Sequence, residues 1–320
     1  MRFPVLATAV TAALLSFGAS PSFAQSAAKA DCKPSKWGAA DELGSANLVT
    51  PERTKAALSL VKTGKSHPLG IVIDSSTPAF PPRTLSMQVV QPNQQGGARL
   101  FGYDGSYNDD LLQTWVGIGS QIDGLGHLGE QGMYYNCNED KDFAAITGLK
   151  KLGVHNVPPL VGRGVLIDMA KHKGKPFLDA GEVFNEGDIQ AAAKAQGVEI
   201  REGDIVLFHT GWTDAKLTAD PKAWGGTEPG LGESGATWLA SKNVMAVGAD
   251  TWGLEPVPPE KEGRPFYGHV ILLKKNGIYI LETMNTGPLA KEGVHEFMFV
   301  LGQMRVRGSV QAIINPVALY

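Results

Sequence analysis

Cysteine is scarce. Cys32 and Cys137 are the only two in 320 residues, too few for a disulfide scaffold. Neither has a second cysteine or a histidine at close ligand spacing, which argues against a zinc site built on them. Basic runs are absent and the net charge is −3, so nothing points to nucleic acid or an acidic polymer as partner. One apolar stretch lacks charge, Val5 to Phe17, and it is shorter than the ~20 residues of a membrane span. No Gly-x-Ser-x-Gly elbow occurs, which disfavours a serine esterase of that type. Gly124-x-Gly126-x-x-Gly129 has the spacing of a dinucleotide fingerprint. It lacks a surrounding βαβ unit, and 133–142 does not read as a nucleotide-binding helix. The chain shows no internal repeat, low-complexity block or clean linker.

What is present is ordinary globular composition, 43% hydrophobic and 19% charged. The 39 glycines and 20 prolines point to turns and loops rather than a helical bundle. The N-terminus reads as a secretory leader, with Arg2, the apolar run, and a small-x-small cleavage site at Ser22-Phe23-Ala24. On this reading residues 1–24 are removed, the mature chain starts at Gln25, and 25–320 form one domain. The mature protein is then soluble and periplasmic or secreted, with no membrane span after processing. An oxidising compartment permits a bridge between Cys32 and Cys137, and the sequence leaves that pairing open.

Thr50 as N-cap, Pro51 at the first helical position and Gly64 as a stop predict a helix over Thr50 to Lys62. His67 to Ile73 is a short strand candidate. Ser75 to Asp109 is rich in Pro, Gly, Gln and Asn and reads as a long excursion, the usual form of lids and binding loops. Strands are expected at Val165–Met169, Ile205–His209, Val244–Gly248, Gly268–Leu273 and Ile278–Thr283, and helices at Asn185–Gln196, Glu233–Ser241 and Lys291–Phe297. Strands alternating with a few helices give a single mixed-sheet α/β domain. Tyr267–Leu273 and Ile278–Thr283 around the Lys274–Gly277 turn read as a hairpin. In either register His269 and Glu282 share a face and reach a common point.

The densest chemistry lies in Gly117 to His127. In a strand, Gln121 and Asp123 project to the same side, and the glycines after them let the chain turn and bring His127 back. With His269 and Glu282 these residues assemble into one polar centre. One reading is a divalent cation on Asp123 and His269, with Gln121 and Glu282 as further donors and His127 beside it. The other is a set of structural hydrogen bonds. The mix of carboxylate, amide and imidazole suits one Zn²⁺ or Mn²⁺ better than a thiolate-seeking ion. His209 ends a strand and is either a pocket residue or a satisfied core histidine. Asp250 reads as structural, whereas Glu255 is a candidate to face the site. Trp115, Trp212 and Trp252 wall an apolar pocket or fill core. His67, His155, His172 and His295 carry no usable pattern.

These residues resemble a family signature, His-x-Gly-Thr-His-x-Asp-x-x-x-His, which stands here as Gly117-x-Gly119-Ser120-Gln121-x-Asp123-x-x-x-His127. Gly162-Arg163-Gly164-Val165-Leu166-Ile167-Asp168, Gly203-Asp204-Ile205-Val206-Leu207, Thr210-Gly211-Trp212, Gly248-Ala249-Asp250-Thr251 and Ile280-Leu281-Glu282 extend the match from about Ala39 to the C-terminus. The chain resembles the cyclase family of metal-dependent hydrolases that includes bacterial kynurenine formamidase and isatin hydrolase. The resemblance implies a cyclase-like swivelling β/β/α fold with peripheral helices and a homo-oligomer, dimer or tetramer. It also implies His127 as acid/base, with Asp123, His269 and Glu282 as ligands. Both histidines of the signature that bind metal are replaced, by Gly117 and Gln121, which departs from a two-zinc centre. A Gln before the Asp is similar to the branch containing trans-dienelactone hydrolase, and favours a single oxygen-rich site.

The expectation is metal-assisted hydrolysis of a small carbonyl compound such as a lactone, cyclic amide or formamide. A lyase or isomerase that stabilises an enolate with the same metal, and a non-catalytic periplasmic binding protein, are the alternatives.

Overall fold

The computed structural model describes residues 32–90 and 101–320. The expected leader, 1–24, lies outside them. Four strands form the centre of the main sheet. Leu160–Asp168, Ile205–His209, Ala246–Ala249 and Tyr279–Glu282 run parallel to one another. Their near-continuous apolar runs, such as Ile205-Val206-Leu207-Phe208, are buried throughout, as strands covered on both faces must be. Antiparallel strands extend the sheet on both sides. Glu296–Leu301, Val317–Leu319 and Ser66–Pro68 follow outward from Leu160–Asp168, and Gln121–Asp123 and Gln311–Ile313 follow outward from Tyr279–Glu282. The result is one nine-stranded mixed sheet in a single α/β domain.

The helix at Pro51–Leu58 starts as expected, with the Thr50 side chain accepting from the Arg53 N–H, and ends four residues before Lys62. Glu186–Gln196 opens with the Asn185/Asp188 capping box and stops at Gly197, which adopts the left-handed conformation. Glu233–Ser241 is helical as read from the sequence.

Three expectations are corrected. Gly268–Leu273 is not a strand: Tyr267–His269 is α-helical and Val270–Lys274 continues it as a π-helical stretch. The apolar run Val270-Ile271-Leu272-Leu273 is wholly buried, and a short buried run fits a helix as well as a strand. Lys291–Phe297 is likewise divided between a helix, Gly287–Glu292, and a strand, Glu296–Leu301, because Gly293 ends the helix in the left-handed conformation. The excursion from Ser75 is not loop throughout. Leu85–Val90 pairs antiparallel with Asp109–Thr114 in a ribbon that exposes Met87, Val89, Leu111 and Leu112.

Cys32 and Cys137 are bonded, with their Cα atoms 5.2 Å apart. Among the described residues no helix is long and apolar enough to cross a membrane.

Candidate metal centre

The centre begins at the Gln121–Asp123 strand. Gly119, at φ +66°, turns the chain into it, and any larger side chain there would run into Ile73. In the sheet register Gln121 stands opposite Glu282 and Asp123 opposite Gln311. Alternation puts all four side chains on one face. The Gln121 Nε2 donates to Glu282 Oε2 at 2.6 Å and to Asp123 Oδ1 at 3.2 Å, and the Gln311 Nε2 donates to Asp123 Oδ1 at 2.6 Å. It is the amide nitrogen of Gln121, not its oxygen, that faces the two carboxylates.

This leaves Asp123 Oδ2 fully buried and without a hydrogen-bond partner. A buried carboxylate oxygen in that state is costly. Two imidazole nitrogens face it, His269 Nε2 at 3.5 Å and His127 Nε2 at 3.8 Å. One ligand atom from each of the three residues lies within 4.8 Å of the others. A tetrahedral shell with bonds of about 2.1 Å has edges of about 3.4 Å, so the spacing fits donors arranged around a small cation.

His269 arrives by an unexpected route. Its helical stretch starts at Tyr267, and the Glu255 carboxylate accepts from the N–H groups of Gly268 at 2.7 Å and His269 at 2.8 Å. Those amides are orphans of a helix start, where a carboxylate is favoured. The same carboxylate lies 2.7 Å from His269 Nδ1. Glu255 therefore fixes the ring, and Nε2 is left facing Asp123 and, at 3.2 Å, Glu282 Oε1. A carboxylate behind a histidine in this way is the usual support of a metal-binding imidazole. His127 comes back on a turn closed by its own N–H to the Gly124 carbonyl at 2.9 Å.

Burial opposes charge on every member, and the neighbours decide the outcome. Burial would raise Asp123, but the His127 and His269 imidazoles and Gln311 hold it at about 2. Burial and the Asp123 charge push Glu282 up to about 7, against the pull of His269. Burial would depress His269, yet Asp123, Glu255 and Glu282 keep its imidazolium well above the ordinary range. Burial lowers His127, helped by the charges of His269 and Arg83 and opposed by Asp123.

His127, His269 and Glu282 open onto a cavity of about 210 Å³ walled by Phe80, Arg83, Leu128, Trp252 and Phe266. Trp252 is thus where a pocket residue was expected. Glu255 lies beneath His269 rather than in the wall. Trp115 is half-exposed and lines no part of this cavity. Trp212 is buried with its Nε1 donating to the Trp224 carbonyl. His209 faces a different opening beside Asp168 and Asp214, with Nδ1 2.9 Å from Thr286 Oγ1.

Sequence reasoning missed Gln311, Arg83, Phe80, Phe266 and Glu228. Glu228 is buried behind the wall and accepts from the Trp252 N–H at 2.6 Å. Burial and the charge of Glu282 raise its pKa well above the carboxylate range. Three corners of the site, Leu254, Phe266 and Thr283, hold non-glycine residues in the left-handed region, at φ +63°, +54° and +54°.

A family model described as "Putative cyclase" matches residues 66–256. Among solved structures, one described as a novel cyclase is 30% identical with a TM-score of 0.80, and the match covers 89% of this chain and 96% of that one. Isatin hydrolase A from Labrenzia aggregata, bound to benzyl benzoate, is 17% identical with a TM-score of 0.58, covering 82% and 97%. An isatin hydrolase bound to the product analogue thioisatinate is 18% identical with a TM-score of 0.60, covering 85% and 99%. The last two likenesses are of fold. No curated protein matches the chain.

Proposed function

The chain belongs to the cyclase family, and from that footing we propose that it is a metal-dependent hydrolase that opens a small lactone, cyclic amide or formamide. One observation carries the reading: the buried, unpartnered Asp123 Oδ2 faces two imidazole nitrogens at cation-ligand spacing. Isatin hydrolases among the proteins of like fold support hydrolysis as the reaction class.

Asp123, His269 and Glu282 would hold one divalent ion, Zn²⁺ or Mn²⁺. Gln121 would add an oxygen only with its amide turned over. The ion supplies Lewis acidity, polarising a carbonyl and acidifying water. Glu255 keeps His269 aimed, and the two glutamine amides keep the carboxylates in place. His127 stands in the cavity wall with its basicity reduced by burial, so it is neutral near pH 7. It can take a proton from water at Nε2 and return it to the leaving group. Phe80, Trp252 and Phe266 keep solvent from the reacting face.

The Cys32–Cys137 bond supports an exported protein in an oxidising compartment, consistent with cleavage after residue 24 and a single domain over 25–320. The exposed apolar ribbon at Leu85–Val90 and Asp109–Thr114 supports a homo-oligomer.

Elemental analysis of the protein purified without added metal, beside Asp123→Ala, tests the reading. About one Zn or Mn per chain, lost in the variant, is the expected result. An Asp123→Ala protein that keeps its metal refutes the ligand set.

A further inference from the structure

Arg83 reaches the cavity from the segment just before the ribbon strand Leu85–Val90. Its Nη1 donates to the Gly117 carbonyl at 2.7 Å, and its guanidinium carbon lies 6.0 Å from the centre of the Phe80 ring. Among the described residues no carboxylate pairs with it, and no other protein hydrogen bond uses its donors. A guanidinium carries five N–H donors in a fixed fork. Most of that fork is therefore unspent, at the edge of a cavity whose other walls are largely apolar.

Gly117 is what admits the guanidinium. A Cβ at that position would lie 2.6 Å from Arg83 Nη1 and 2.9 Å from Gln311 Oε1. The position where the family signature has a histidine thus holds, in this chain, the space taken by an arginine head group.

Building on the hydrolase reading, we propose that Arg83 is the specificity-determining cation of this cavity and that its ligand carries a carboxylate on a compact apolar body. The fork matches a carboxylate in shape and charge. Phe80, Trp252 and Phe266 offer faces for a flat ring. The volume, about 210 Å³, suits one small substituted ring, since a cavity of about 150 Å³ holds benzene. The carboxylate is either borne by the substrate or released by ring opening.

Benzoate and benzamide, alike in size and different in charge, are the probes. They are titrated calorimetrically into zinc-loaded wild type, Arg83→Met and Gly117→Ala. Wild type is expected to prefer benzoate by about 10- to 100-fold, the range of a charge-assisted contact. Both variants should lose the preference while keeping their affinity for benzamide and their metal content. Gly117→Ala changes no charge and acts only by displacing the guanidinium. A benzoate preference that survives in Arg83→Met, or that is missing in wild type, overturns the proposal. Failure of wild type to hold metal would sink the hydrolase reading instead, and the same probe pair on metal-free protein would still report on Arg83. A lactone with a free carboxylate, compared with its methyl ester, separates the two sources. A KM increase in Arg83→Met for the acid alone places the charge on the substrate. Equal KM values with weakened inhibition by the ring-opened acid place it on the product. No change in either quantity overturns the assignment.

Discussion

His127→Ala separates the two roles open to an imidazole at this spot. Its Nε2 lies 3.8 Å from Asp123 Oδ2, whereas His269 Nε2 lies 3.5 Å from the same oxygen and is braced from behind by Glu255. Nothing braces His127 comparably, and it faces the cavity with about a fifth of its side chain exposed, 21%. The expectation is that the variant keeps its metal and loses turnover by the ~10²–10⁴-fold typical of a general acid–base group. The pH dependence carries the sign. A base works unprotonated, and burial places His127 below the ordinary 6.5. In wild type kcat/KM should be flat near neutrality and fall as the pH drops through a value under 6.5. In His127→Ala that limb should vanish. Metal content by elemental analysis and a pH–rate profile on any lactone the wild type turns over check both halves. Loss of metal would make His127 a ligand, and unchanged turnover would remove it from the chemistry; either result refutes the reasoning.

Glu255→Gln removes the charge behind His269 Nδ1 and should weaken metal binding by about 10–100-fold at unchanged far-UV circular dichroism; a chelator competition that shows equal affinity contradicts this. Cation uptake should release protons, because Glu282 titrates at about 7 and His269 well above 6.5 in the metal-free protein. Both groups hold protons below those values and must give them up, so affinity rises with pH. Calorimetry at pH 6.5 in buffers of different ionisation enthalpy reads the release, and buffer-independent heats would count against it. Cys137→Ser opens a loop closed across 105 positions and should cost about 2–5 kcal/mol in denaturant unfolding; an unmoved midpoint would show that the bridge does not stabilise the fold.

The part of the centre legible in the sequence was the part built from local periodicity. Gln121 and Asp123 share a face because a strand alternates, and His127 returns because glycines permit the turn. The central strands were readable as continuous apolar runs. His269 and Glu282 do meet, though through a helical stretch rather than across a hairpin. An apolar run of four residues carries no period that separates the two structures. Gln311 and Arg83 were invisible for another reason. Each stands alone in its own segment, and only sheet order and the space over Gly117 bring them to the site. His209 ends a strand that does reach a cleft, but on the side of Asp214 and Pro288.

Leu254, Phe266 and Thr283 adjoin Glu255, the start of the His269 helix, and Glu282, in that order, and all three are left-handed. Thr283, β-branched and buried, is the least suited of them to that conformation. Such residues cost about 1–3 kcal/mol each. A population selected for heat resistance alone would therefore find Thr283→Gly readily. The clones that melt later should also hold metal more loosely, because the corner that fixes Glu282 has been relaxed. Melting temperature and metal affinity measured on the same clones would show whether durability and function pull apart here; a gain in both would mean that the corner is not part of what holds the centre rigid.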